Sequence, residues 1–178
     1  MTMNIVMLIA SQGFQEIEYA HTKQALIKEG AHITVVSDRK GKATSHLGTF
    51  VSVDGDIASI DLAKYDAVVI VGGPGAWDHL NIPVVHTIVK NAAQQKKIVA
   101  AICISPRILA VAGVLKGKRA TGWDADHALE KVFKQYDVSY EKKPVVVDDL
   151  FVTAAGPDAA TDFGDTIIRV LRDRAQKS

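Results

Sequence analysis

Cys103 is the one cysteine of the chain, and it falls where an apolar run must turn into a helix. Ile98 to Ile102 reads as a short strand covered on both faces. Ser105-Pro106 reads as an N-cap and first helical residue, because proline's fixed φ suits that position and its missing N–H is not needed there. Cys103 and Ile104 are left for the turn. A thiol there meets free N–H groups and the positive end of the following helix, which favour thiolate over thiol. Free cysteine often does no more than pack in a core, yet the turn position makes Cys103 the expected reactive centre, and an acidic one.

Two other segments carry matching chemistry. Gly13-Phe14-Gln15-Glu16-Ile17-Glu18 follows the first strand and places Glu16 and Glu18 in the first turn of a helix. The helix dipole there is worth roughly 0.3–1 kcal/mol to a carboxylate, enough to explain one of them. Gly72-Gly73-Pro74-Gly75 follows another strand, where backbone N–H groups can approach a bound oxygen closely. The N–H groups of Gly73 and Ile104 together suit an oxyanion hole. The glycines are not a dinucleotide or phosphate loop: no GxGxxG opens a helix and no Lys-Ser/Thr follows them. No histidine and carboxylate cluster has metal-ligand spacing, so no metal site is expected.

Those residues need a scaffold that brings strand ends together, and strand and helix signals alternate along the whole chain. Asn4–Ala10, His32–Ser37, Ala67–Val71 and Ile98–Ile102 read as core strands. Late strands are expected at Val138–Tyr140, Val145–Val147 and Leu150–Ala154, and a small hairpin between Lys40 and Val53. Helices are expected over Gln15–Glu29, Pro83–Gln95, a short stretch closing at Gly113, and a final stretch carrying Ala160, Phe163, Ile167, Val170 and Leu171. This alternation predicts an α/β fold, a three-layer α/β/α sandwich with a mostly parallel sheet. Ligands in such sheets gather beyond the carboxyl ends of the strands, where all three segments fall.

With 178 residues, the chain suits one domain spanning 1–178. Its formal charge of +1 gives no electrostatic footprint for nucleic acid or an anionic membrane surface. No apolar run approaches the length of a bilayer span, and no basic region leads into a cleavable apolar segment. One unpaired cysteine fits a reducing compartment, so a cytoplasmic location is expected.

Taken with Ala100-Ala101-Ile102-Cys103-Ile104-Ser105-Pro106 and with Ala155-Gly156-Pro157 followed by Asp162-Phe163-Gly164, these motifs resemble the ThiJ/PfpI family. That is the superfamily of the parkinsonism-associated protein deglycase, and the resemblance runs from about Asn4 to Leu171. It implies a flavodoxin-like sandwich, a homodimer, and a cysteine on a nucleophile elbow. It also implies Glu18 as the carboxyl group that hydrogen-bonds the sulfur, with Gly73 and Ile104 as backbone donors. Members include cofactor-free glyoxalase-type enzymes, proposed deglycases, peptidases, chaperones and oxidation-sensitive stress proteins.

The chain departs from that pattern in three places. Ile104 stands where the peptidase branch has histidine, and Trp77 where it has a glutamate. The pocket histidine of the deglycase branch falls on Trp123. Trp123 and Trp77 are expected to narrow or cover the substrate pocket, and His127 is the remaining candidate base. His21, His79 and His86 read as exposed or structural, and Ser105 as a cap rather than a nucleophile. Three functions stay open: an enzyme acting on small reactive carbonyls in stress defence, a redox-sensing stress protein or chaperone using an oxidisable Cys103, and, least favoured, a peptidase.

Overall fold

The computed structural model describes residues 2–176. β1 (Met3–Ile9) is followed by a short β2 (Gln12–Phe14), helix α1 (Glu16–Lys28) and β3 (Ala31–Ser37). The hairpin strands β4 (Lys42–Ser45) and β5 (Phe50–Ser52) and a two-residue β6 (Gly55–Asp56) lead to β7 (Ala67–Ile70). Helices α2 (Ala76–Leu80) and α3 (Pro83–Gln94) precede β8 (Ile98–Ile102) and α4 (Pro106–Val111). Next come β9 (Arg119–Ala120), α5 (Leu129–Gln135) and β10 (Ser139–Tyr140). The path closes with β11 (Val145–Asp148), β12 (Phe151–Ala154) and α6 (Ala160–Ala175).

Among the described residues, the main sheet has seven strands in the order β11-β12-β8-β7-β1-β3-β6. Only the β11–β12 pair is antiparallel. Strands without polar alternation need cover on both faces, and β1 from Ile5 onward, β7 and β8 are buried along their lengths. Helices α1 and α6 pack on each other and reach β3, β8 and β12, while α3 lies against β7 and β8. The result is a flavodoxin-like α/β sandwich. Gly164 allows the α1–α6 approach: a Cβ there would stand 2.6 Å from the Ala25 Cβ. That contact sets the depth at which α1 carries Glu18.

The register explains how distant motifs meet. Leu8 lies beside Ile70, Ile70 beside Ala101, and Ala154 beside Ile102, so four carboxyl ends stand level. The segments that leave them carry Ser11, Gly72, Cys103 and Ala155.

The sequence pattern misses β2, the two-residue strands β6 and β9, and helices α2 and α5. β2 pairs in parallel with β4, which makes the expected hairpin part of a second, three-stranded sheet. Helices α2 and α5 have five and seven residues, too few for an apolar period to stand out.

Ser105 departs from its expected role. It is already helical, and it makes no side-chain cap bond. Its buried hydroxyl instead donates to the Val71 carbonyl at 2.9 Å, tying the start of α4 to the end of β7. Ser105→Ala leaves that carbonyl without its partner and is expected to cost about 1–3 kcal/mol. A fall in the urea midpoint at unchanged slope would show it; an unmoved midpoint would make the bond energetically idle.

Candidate active site

Cys103 adopts φ +65°, a left-handed conformation that few non-glycine residues take. Two bonds hold it there: its N–H donates to the Ala154 carbonyl at 2.9 Å, and its carbonyl accepts from the Trp123 N–H at 2.7 Å. The strand therefore ends abruptly and the side chain stands at the turn, as in a nucleophile elbow. Cys103 as a residue is 8% exposed, so its thiol stands in an enclosed place.

Glu18 comes to the same point from the first turn of α1. Gln15 caps that helix, its side-chain oxygen accepting from the N–H groups of Ile17 and Glu18 at 2.6 and 3.3 Å. The Glu18 carboxyl is fully buried, and its Oε2 accepts from the Gly72 N–H at 3.0 Å. It couples electrostatically and by hydrogen bonding to the Cys103 thiol. The other oxygen, Oε1, has no partner of ordinary hydrogen-bond geometry. Glycine at position 72 makes this meeting possible: a Cβ would lie 2.6 Å from the Cys103 Cβ and 2.7 Å from Glu18 Oε2. The backbone N–H groups of Gly73 and Ile104 turn toward the sulfur and favour its charged form. Cys103, Glu18, Gly73 and Ile104, read from three separate stretches of sequence, thus form one cluster.

The electrostatics correct one expectation. Burial pushes the Cys103 thiol up, and a charged Glu18 pushes it up further, against the two N–H donors. The helix terminus does not prevail, because α4 has only six residues and the site is nearly dry. Burial also pushes Glu18 up to about 7, opposed by its bonds to Cys103 and Gly72. Near neutral pH, the pair therefore gives up one proton and holds the second tightly. A thiolate exists here when Glu18 keeps its proton and donates it toward the sulfur.

Beside the elbow lies a cavity of about 660 Å³. Trp123, His127, Tyr140, Pro144 and Pro157 are among its walls, and Gly122 and Trp123 join it to the elbow. Trp123 and His127 therefore stand where the sequence expects pocket residues. Trp77 does not: it is 39% exposed on α2 and outside this cavity.

Sequence reading passes over two side-chain groups. Arg107, the only charged residue between Ile98 and Leu115, is a signal that an apolar helix needs one cation for a purpose. It is 8% exposed and forms a bidentate pair with Asp126, at 2.9 and 2.7 Å. Ser11, Asp38 and His79 also meet. However, His79 Nδ1 faces both Asp38 Oδ2 (2.8 Å) and Ser11 Oγ (3.3 Å), so one nitrogen serves both partners. Ser11 is buried and donates to Asp38. A nucleophilic relay needs the two ring nitrogens on different partners, and this cluster is structural.

Among the described residues, no group of three or more His, Cys, Asp or Glu side chains is placed to hold a metal ion. No helix among them is long and apolar enough to cross a membrane.

Known proteins resemble this chain along nearly its whole length. The chain is 36% identical over 168 residues to an uncharacterized protein of Methanocaldococcus jannaschii, covering 94% of this chain and 82% of that one. It is 30% identical over 168 residues to a protein of Thermococcus kodakarensis named a deglycase, covering 94% and 99%. The crystal structure of a ThiJ/PfpI domain protein from Brachyspira murdochii superposes with a TM-score of 0.90, at 30% identity and 96% of each chain. The model of the DJ-1/PfpI family matches residues 3–170. The chain belongs to the DJ-1/PfpI family.

Proposed function

We propose that this protein is a cysteine-dependent enzyme that acts on small reactive carbonyls, such as methylglyoxal, without a cofactor. The observation that carries the reading is the Glu18–Cys103 pair. A carboxyl pushed up to about 7 sits against a buried sulfur, with the Gly73 and Ile104 N–H groups turned toward it. A general acid–base group works best when it titrates near the working pH.

In the proposed reaction the sulfur bonds to the aldehyde carbon, and the thiol proton passes to the carbonyl oxygen, giving a hemithioacetal. Glu18 takes the proton from that carbon and returns one to the neighbouring carbonyl carbon, while the hydroxyl proton of the hemithioacetal passes to the neighbouring carbonyl oxygen. A thioester results, and one water molecule cleaves it to a hydroxy acid and the free thiol. The Gly73 and Ile104 N–H groups steady the oxyanion. The sequence becomes methylglyoxal plus water to lactate, with no net oxidation. The relative named a deglycase supports the same chemistry on carbonyl adducts. A stress-defence role in the cytoplasm follows as part of this proposal.

A homodimer belongs to the proposal too. The large apolar side chains left exposed include Ile17, Leu47, Phe50 and Trp77. All four lie on elements next to β2: the start of α1, the hairpin paired with it, and α2. A dimer that covered them would remove a cluster of apolar surface from water.

The same donors suit a sulfinate, which favours a redox-sensing role as the second reading. Purified protein given methylglyoxal separates the two. Lactate formation lost in Cys103→Ala supports the enzyme. No lactate, with stoichiometric peroxide oxidation of Cys103, supports the sensor. Peptide hydrolysis is expected to be negligible, since Ile104 and Trp77 cannot carry protons; robust amidase turnover abolished by Cys103→Ala would overturn that expectation.

A further inference from the structure

We propose that Arg107 is a positioning residue that locks segment 122–128 as the wall of the cavity beside Cys103, and so sets which molecules reach the sulfur. The idea rests on the reading of Cys103 as the reactive centre.

Residues 122–128 contain neither strand nor helix, yet the side chains of Trp123, Asp124 and His127 line the cavity. Something must hold this segment. Arg107 lies four residues after Cys103, in the first turn of α4. Its two terminal nitrogens grip Asp126 Oδ2 and Oδ1, and one of them also donates to the Trp123 carbonyl at 3.1 Å. The guanidinium lies over the Trp123 ring, 5.6 Å from its centre. The Trp123 N–H meanwhile donates to the Cys103 carbonyl. One tryptophan is thus tied to the elbow by its amide, its carbonyl and its ring. Asp126 completes the turn by accepting from the Ala128 N–H at 3.1 Å.

Stability alone accounts poorly for this group. Burying a guanidinium is costly, and well-packed apolar residues often serve as well. Arg107 Nε is buried without a partner, so the cost is only partly offset. What a planar fork supplies is geometry: two parallel bonds to a carboxylate fix both distance and angle. The charge itself is spent on Asp126, whose carboxyl is held below its usual range first by the hydrogen bond from Arg107. The clamp therefore acts on the shape of the site.

The test uses thiol labelling, so it stands whether or not methylglyoxal proves to be the substrate. In a Trp77→Phe background, Arg107→Met, Arg107→Lys and Asp126→Asn are compared for Cys103 alkylation by iodoacetamide and by a bulky aromatic maleimide. Loss of charge-assisted bonds should change the bulky-to-small rate ratio about tenfold in Arg107→Met. Trp123 emission should shift to the red, while the pH profile for iodoacetamide stays in place. Lysine should fail to restore the ratio, because it lacks the fork. Asp126→Asn, on the exposed side of the pair, should act in the same direction and decides the matter if Arg107→Met does not fold. An unchanged ratio and emission in Arg107→Met, or full recovery in Arg107→Lys, would overturn the proposal. Absence of methylglyoxal turnover in the unmutated protein would instead count against the proposed reaction.

Discussion

Replacing Glu18 with glutamine is expected to lower carbonyl turnover by about 10²–10⁴-fold and, above pH 7, to make the fold more stable. The two effects share one cause. Glu18 is an acid whose pKa is pushed from 4.5 to about 7, chiefly by burial. Between those values the folded chain binds more protons than the unfolded chain, so stability falls as pH rises through the window. Below the window the penalty is absent; above it the penalty is complete. At about 1.4 kcal/mol per unit it amounts to roughly 3 kcal/mol. Glutamine has nothing to ionise. It can still accept from Gly72 and donate toward the sulfur, but it cannot ferry a proton. Denaturant melts at pH 5 and pH 8 should show the unmutated chain losing stability at the higher pH and Glu18→Gln losing far less. Equal pH slopes for both proteins would remove Glu18 from the pair. Full turnover with the slope abolished would leave it a mere burial cost.

Gly73→Ala is expected to have the largest structural effect near the site. A Cβ at this position would lie 2.4 Å from the Gln15 N and 2.5 Å from the Gly13 carbonyl oxygen, both backbone atoms that cannot swing aside. Its φ of +120° adds a conformation that alanine avoids. Overpacking and backbone strain together should cost roughly 2–6 kcal/mol. At ~2–4 °C per kcal/mol for a chain of this size, the melting temperature should drop by at least about 4 °C. Relief by local movement would push Gln15 away, and with it the cap that seats Glu18. A melting curve within 2 °C of the unmutated one, a span of roughly 1 kcal/mol, would refute the crowding argument.

The parts of this fold that the sequence shows plainly are those where one force dominates. Ile98–Ile102 has no polar side chain, and only a strand buried on both faces suits it. Cys103, Glu18 and Gly73 announce themselves because each follows a strand, and parallel register brings such positions to one level. Elements held by long-range pairing are less visible. Gln12–Phe14 becomes a strand only because Thr44 and Ser45 lie beside it. Ser105 looks like a cap in one dimension, and only the nearby Val71 carbonyl changes its role. The acidity expected of Cys103 reflects the helix alone; the opposing carboxyl comes from 85 positions earlier in the chain, a coupling no local pattern records. Trp77 and Trp123 look alike as pocket candidates in the sequence, and only their places in the fold separate them, Trp123 on the cavity wall and Trp77 on α2 outside it.

The elbow also has a consequence for the chain during its synthesis. The Cys103 amide is satisfied by Ala154, and β8 is flanked on that side by β12. A ribosome adding about 5–20 residues each second exposes Cys103 several seconds before that partner exists. Until then the sulfur is an ordinary thiol of pKa about 8.5, with neither enclosure nor a neighbouring carboxyl. Electrophiles and oxidants met in that interval would strike the nascent chain, and a modified sulfur would then have to fit a space that leaves the native residue 8% exposed. Damage at this stage would surface as failed folding, in molecules that never carried out a reaction.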